Sequence, residues 1–482
     1  MPKPLDPPLS LDALCQEAVN KAARTGQPVL VCHALPWAGG DPLAVLEASS
    51  GPEPFRFYWE RPKDGFALAA GGEAMGFSAG GADRFAVLAA QMEQVLGEAV
   101  GSQPAGGVSG LEGPFGVGGF SFFPDVDRDQ WPGYDPARMV VPRWAVCRQG
   151  NQAMAMVCQS ARPGDDPAGL ADQARQAVGG LGRTLAASAI SGPDRTETAP
   201  MATRRLDDLE GHRHWLEMVR AALTRIKSGE LEKVVLARTV ELTSHGDFSP
   251  FAVLRELRSA YPNCFTFFVD PGGGAQFLGA SPERLARFTP EDGGGVTIRL
   301  GALAGTAPRG EEPDADALLG SRLLASGKEI HEHRIVVDAI LRAVEPLGCR
   351  VETPSSPRLI KLNNVQHLYT PITLRADSPV SILDVVARLH PTPAVGGVPA
   401  GKAGGFILAH ERFDRGWYAS PIGWINGGGR GEFAVALRAG IIRSGGVRLF
   451  TGAGIVADSD PEGEYFETQL KLQPLLGAFH HD

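Results

Sequence analysis

The chain contains no run of about 18 apolar residues, so no segment reads as a bilayer-spanning helix. Its opening residues, MPKPLDPPLSLDALCQ, lack the apolar core of a secretory signal. No extended block of Lys and Arg is present, and the formal charge of −9 leaves no broad basic surface for nucleic acid or an anionic membrane. Six cysteines (Cys15, Cys32, Cys147, Cys158, Cys264 and Cys349) are scattered without CxxC or metal-ligand spacing, the pattern of free thiols in a reducing cytoplasm. No repeat of about 20–50 residues is visible. These absences imply a cytoplasmic protein with neither nucleic acid nor membrane as partner. Nothing such as a heptad seam demands an oligomer, so a monomer or weak dimer is expected.

What is present is ordinary globular material: 482 residues, 43 % hydrophobic and 21 % charged. The 61 glycines and 38 prolines fall short of low complexity and indicate many tight loops. Residues 1–185 alternate short apolar strands (FRFYWERP, GFALAAGG, GVGGFSFFPD) with Gly-rich turns, and helical periodicity appears at 84–96 and 168–181. Residues 186–203 are small and polar and read as a linker. Beyond it, DLEGHRHWLEMVRAALTRIKSGE predicts an amphipathic helix stopped at Gly229, leading into the buried strand LEKVVLARTVEL. Strands are expected at CFTFFVD, AQFLGA, RLARFT, VTIRLGALAG, EFAVALRAGIIRS and VRLFTGAGIVA, some close enough for hairpins. The expected class is α+β with mostly antiparallel sheet.

Two near-motifs fail. GGVPAGKA (396–403) approaches a phosphate-binding loop, but Ala403 stands where a Ser or Thr hydroxyl is needed. IHEHR lacks the spacing that puts two histidines on one helix face for zinc.

The informative pattern is a pair of ExxE stretches, KEIHEHR with Glu329 and Glu332, and GEYFETQLK with Glu464 and Glu467. Carboxylates three apart share a helix face. On a helix expected over about 321–345, Glu329 and Glu332 align with Ala325, Val336, Ala339 and Ala343. Arg334, Asp338, Arg342 and Glu345 form the opposite, wet face. Glu464, Glu467 and Lys471 likewise run into Leu475. A solvated surface is one explanation. The other is a shared buried cation, since carboxylates on an apolar face are costly unless compensated. A carboxylate set without His or Cys favours Mg²⁺ over zinc. Lys471 could also be a simple i,i+4 partner of Glu467. Lys233 enters an apolar strand and could be an ordinary strand-end lysine. Glu283, after Ser281 and Pro282, could be a helix-start carboxylate.

Nine stretches in order, LEKVVLAR, FLGASPERL, LAGTAPRG, LLASGKEIHEH, VQHLYTP, LHPTPAVGG, ERFDRGWYASPIGW, FAVALRAG and GAGIVADSDPEGEYFETQLKL, resemble the chorismate-utilising enzymes. The likeness is closest to isochorismate synthases of the menaquinone or siderophore type, over about 205–475. Residues 1–200 match weakly, as the N-terminal half of the same α/β unit, with 205–482 as the chorismate-binding catalytic region. The resemblance implies two large antiparallel sheets packed face to face, helices outside, and a cleft with Mg²⁺ at its floor. It implies Lys233 as general base and Glu283 as general acid. Glu332 and Glu467 become direct Mg²⁺ ligands, with Glu329 and Glu464 holding metal-bound waters. Arg438, Lys471 and Tyr418 contact the substrate carboxylates, and Gly305, Thr306, His367, Gly452 and Gly454 line the pocket.

The implied reaction is chorismate to isochorismate, by water addition at ring C2 with loss of the C4 hydroxyl. Ammonia-using relatives carry Gln where this chain has Lys233, so no glutaminase subunit is expected. Aminodeoxychorismate synthases place a lysine where Ala304 stands. The alternatives are a salicylate synthase, which goes on to eliminate pyruvate, and a non-catalytic chorismate-binding subunit.

Overall fold

The computed structural model describes residues 10–49, 55–102, 113–190, 204–205, 209–244, 248–291, 295–377 and 380–479. The apolar strands pair into two large sheets. The larger has thirteen strands among the described residues. Its first edge strand, Arg204–Arg205, is followed by Lys233–Thr243, Gly446–Ile455, Ala439–Arg443, Gln276–Ser281 and Phe265–Asp270. It continues through Arg56–Arg61, Phe66–Gly71, Trp144–Gln149, Gln152–Ala161 and Val29–Pro36 to Val100–Ser102, and the thirteenth strand, Gly397–Val398, pairs with Lys233–Thr243 off this path. Among the described residues, the pairing of Val29–Pro36 with Val100–Ser102 alone is parallel. The smaller sheet has ten strands among the described residues. Arg350–Glu352, Val365–Ala376, Val296–Pro308, Arg284–Pro290, Gly431–Val435, Pro421–Asn426, Phe115–Phe120, Ala137–Val141 and Met75–Ala79 follow one another, with Arg358–Lys361 also on Val365–Ala376. Both sheets therefore mix strands from before and after residue 200.

The strands read as continuous apolar runs because both faces of the larger sheet are covered. In Arg56–Arg61, Phe57 and Trp59 pack in one cluster with Phe115 and Phe120 of the smaller sheet. Tyr58 points to the other face, in a cluster with Leu254 and Leu257 of the helix Pro250–Ala260. The amphipathic helix Leu209–Lys227 buries Trp215, Met218, Val219, Ala222 and Ile226, at helical spacing, and Gly229 takes the left-handed conformation that stops it. No helix among the described residues is long and apolar enough to cross a membrane.

Three expectations need correction. The helix expected over 321–345 is two helices, Pro313–Ala325 and Gly327–Val344. Ser326 breaks it, its hydroxyl accepting from the Glu329 amide at 3.4 Å as an N-cap. EFAVALRAGIIRS is not one strand: Gly431–Val435 lies in the smaller sheet and Ala439–Arg443 in the larger. The interval between them contains Arg438, held at φ 46°, where a side chain is strained. The linker expected from residue 186 does not start there, because the helix Pro167–Ile190 includes its first five positions. Residues 191–203 lie outside the described residues.

Candidate active site

The chain changes sheets at two neighbouring points, and each carries a candidate side chain. Between Gln276–Ser281 and Arg284–Pro290 it crosses at Pro282 and Glu283; between Gly431–Val435 and Ala439–Arg443 it crosses at Ala436–Arg438. The crossings are tied together, Val435 N donating to Glu283 O at 3.1 Å and Ala280 N to Arg438 O at 3.1 Å. A sheet crossover is where backbone turns inward from both layers, which delivers Glu283 and Arg438 to one cavity between them. Glu283 starts no helix, so the helix-start explanation falls. It is 5 % exposed. Burial pushes its carboxyl up to about 8, against the opposing pull of Lys233, Lys471 and Arg438.

Arg438 is 7 % exposed and donates through Nη2 to His367 Nε2 at 2.9 Å. Its Nε and Nη1 find no oxygen or nitrogen to donate to. Burial and the adjacent guanidinium hold His367 well below the usual imidazole range, so the ring is neutral. With Nε2 accepting from Arg438, the ring proton belongs on Nδ1, 3.1 Å from Thr306 Oγ1. Thr306 is presented by a β-bulge. The register passes from Ala304↔Leu368 to Thr306↔His367 and leaves Gly305 unpaired at φ 80°. The bulge also turns the Thr306 amide toward Glu329, whose Oε2 accepts at 3.1 Å.

Lys233 opens the strand Lys233–Thr243 and is 1 % exposed. A strand-end lysine with its amine in water is therefore excluded. Its Nζ lies 2.9 Å from Glu332 Oε1. On the adjacent strand Gly446–Ile455, a Cβ on Gly454 would stand 2.5 Å from Glu332 Oε1 and 3.0 Å from Lys233 Cε, so only glycine leaves room for this pair. Gly452 faces the cavity too, and its carbonyl accepts from Lys471 Nζ at 3.2 Å. Lys471 also makes the i,i+4 pair with Glu467, at 2.7 Å. Tyr418 stacks on Phe450, rings 4.9 Å apart and 15° from parallel, and walls the same cavity.

The structure thus brings Glu283, Gly305, Thr306, Glu332, His367, Tyr418, Arg438, Gly452, Gly454, Glu467 and Lys471 to one cavity wall. Lys233, Glu329 and Glu464 lie outside its lining, joined to it through Glu332, Thr306 and the neighbouring carboxylates. The four glutamates expected to hold a cation influence one another electrostatically, Glu329 feeling Glu332 and Glu467, and Glu464 feeling Glu467. Among the described residues no three His, Cys, Asp or Glu side chains are arranged about a metal position. Glu332, Glu467 and Glu464 are instead held by Lys233, Lys471 and Lys328. The electrostatics nonetheless suit a cation. Glu329 is pushed up to about 7 by burial and then by the charge of Glu332, and Glu464 is raised by burial and by Glu467. All four donors are hard carboxylate oxygens, the set that matches Mg²⁺.

Sequence reasoning passed over Lys328 and Arg415. Arg415, 1 % exposed, donates to Val395 O and Val235 O at 2.8 Å each and pairs with Glu411. Glu411 accepts from the Ala237 amide at 2.7 Å. This pair pins the strand of Lys233 to the 390–397 loop, and an i,i+4 Glu–Arg spacing outside any amphipathic pattern gave no hint of it.

The chain matches the chorismate-binding enzyme family over residues 17–480. It is 37 % identical to the salicylate biosynthesis isochorismate synthase of Pseudomonas aeruginosa, over 96 % of this chain and 93 % of that one. It is 33 % identical to the isochorismate synthase MenF of Bacillus subtilis, over 96 % of each. The solved structure of MenF, the menaquinone-specific isochorismate synthase of Escherichia coli, superposes with a TM-score of 0.74 at 26 % identity, covering 97 % of this chain and 100 % of that one. A match that begins within the first helix, Leu11–Thr25, and runs past the end of the last, Pro461–Phe479, leaves neither half of the fold outside it, and the chain belongs to the chorismate-binding enzymes.

Proposed function

We propose that this chain converts chorismate to isochorismate, with Lys233 as general base and Glu283 as general acid. The observation that carries the reading is Glu283. A carboxyl pushed to about 8 in a buried cavity keeps its proton at neutral pH and can give it to a leaving hydroxyl. The full-length relatives named isochorismate synthases support the same reaction.

Chorismate carries two carboxylates, so a net-acidic protein needs localised donors to hold it. The unpaired Nε and Nη1 of Arg438, fixed through His367 and Thr306, supply one anchor. Lys471 supplies another. Water then bonds to ring C2 and gives up a proton to Lys233. The ring electron pairs shift along the diene, and the C4–O bond breaks as Glu283 delivers its proton. One water enters and one leaves, so the product is an isomer.

In this reading Glu332 and Glu467 would hold Mg²⁺, with Glu329 and Glu464 beside them. When bound, the ion would supply positive charge to orient the ring carboxylate and stabilise charge developing there. Incubation with chorismate and Mg²⁺, followed by chromatography, tests the proposal. Isochorismate is expected. Salicylate with pyruvate, or anthranilate on adding ammonia, would each replace it with a different activity.

A further inference from the structure

Four glutamates and three lysines interact beside the cavity, of which Glu332, Glu467 and Lys471 line it, and the third lysine has no part in the proposed chemistry. Lys328 sits in the first turn of the helix Gly327–Val344, next to Glu329. Its Nζ reaches across to the other ExxE helix, Pro461–Phe479, lying 2.9 Å from Glu464 Oε1 and 3.7 Å from Glu329 Oε1. Glu464 is deeply buried, with 4 % of its side chain exposed, and Lys328 keeps 30 % exposed. A partly exposed ammonium thus contacts a buried carboxylate on the other helix. Glu464 is held besides by the Ser459 hydroxyl, and Glu329 by the Thr306 amide.

We propose that Lys328 is a tethered competitor for the divalent cation, lowering the affinity of the carboxylate cluster for Mg²⁺. This rests on the reading of the cluster as a metal site. The argument is one of charge and place. Glu464 and Glu329 belong to the set proposed to hold the ion or its waters, and a unit positive charge already stands against both. A dication entering there must displace the ammonium into solvent or accept it as a like-charged neighbour, and either weakens binding. The partial exposure of Lys328 gives the displaced side chain somewhere to go. Lys328 also keeps the two ExxE helices from repelling each other before the ion arrives.

A merely structural tie between the helices makes the opposite prediction, since cutting it would loosen the cluster and weaken the metal. Isothermal titration of the full-length protein with Mg²⁺ separates the two, backed by the rise in melting temperature that Mg²⁺ induces. Lys328→Met is expected to bind Mg²⁺ about tenfold more tightly than the wild type, as one partly screened unit charge near the ion is lost. It should also show the larger Mg²⁺-induced stabilisation. Lys328→Arg keeps the charge and should bind within about threefold of the wild type. An affinity unchanged or weaker in Lys328→Met, with wild-type binding intact, overturns the role of Lys328 and leaves the metal site standing. Absence of Mg²⁺ uptake by both the wild type and Lys328→Met overturns the metal site itself, and this proposal with it.

Discussion

Lys233 Nζ lies 2.9 Å from Glu332 Oε1. The bare Cα of Gly454 is packed against both side chains. One residue of the pair is the proposed base and the other a proposed metal ligand, so the base is engaged until Glu332 is turned elsewhere. Lys233→Ala should lose at least the roughly 10²–10⁴-fold that general-base catalysis contributes. Lys233→Arg should recover little of it, because a guanidinium stays protonated. Wild-type turnover in Lys233→Arg would place the base at another residue.

Gly454→Ala tests the same pair from the other side. The added methyl would come within 2.5 Å of Glu332 Oε1. Glu332 must shift, so kcat is expected to fall by an order of magnitude or more while melting temperature changes little. Normal kinetics in this variant would show that the pair tolerates displacement.

Glu283→Gln should bind chorismate near normally and fail to turn it over, since an amide cannot deliver the proton. The same substitution should stabilise the fold. Between the ordinary carboxyl value of 4.5 and about 8, the unfolded chain has released this proton and the folded chain keeps it. Stability therefore falls as pH rises across that window. Removing the group should raise stability at pH 8, on the order of 1–4 kcal/mol, readable as a higher melting temperature. In the wild type, kcat should decline as pH rises through about 8, where the acid form is lost. A Gln variant that is active, or less stable at pH 8, contradicts both the role and the burial argument.

Arg438→Lys should raise KM for chorismate by about tenfold to a hundredfold, because one ammonium cannot both bond His367 and present two parallel donors to a carboxylate. An unchanged KM would mean that the free Nε and Nη1 face no substrate oxygen.

Much of the fold was legible because helices and strands carry local periodicity, and the Leu209–Lys227 helix with its Gly229 stop is an example. What the residues could not show was which strands meet. Phe265–Asp270 pairs with Arg56–Arg61, more than 200 positions away, and both are apolar on two faces, so no alternation fixes a partner. The Glu432–Ser444 stretch looked like one strand because its apolar pattern continues through the crossing, while the φ of Arg438 leaves no mark in composition. The break at Ser326 did have a signal, since Ser326 and Glu329 have capping-box spacing, though the Glu329 side chain bonds the Thr306 amide instead. The candidate site was legible as residue types in order. The lysine partners of the glutamates were less so, because Lys328 reaches another helix 136 positions away.

Glu332→Ala and Glu467→Ala should each nearly abolish activity at ordinary Mg²⁺ concentrations while leaving the fold intact by circular dichroism. Most of the turnover surviving in either would remove that residue from the ligand set.

The central claim, that water adds at C2 while the C4 hydroxyl leaves, is tested most directly by turnover in ¹⁸O-enriched water with mass analysis of the product. Isochorismate carrying one heavy oxygen, located at C2, is predicted. Isochorismate without the label, or a product other than isochorismate, would contradict the account.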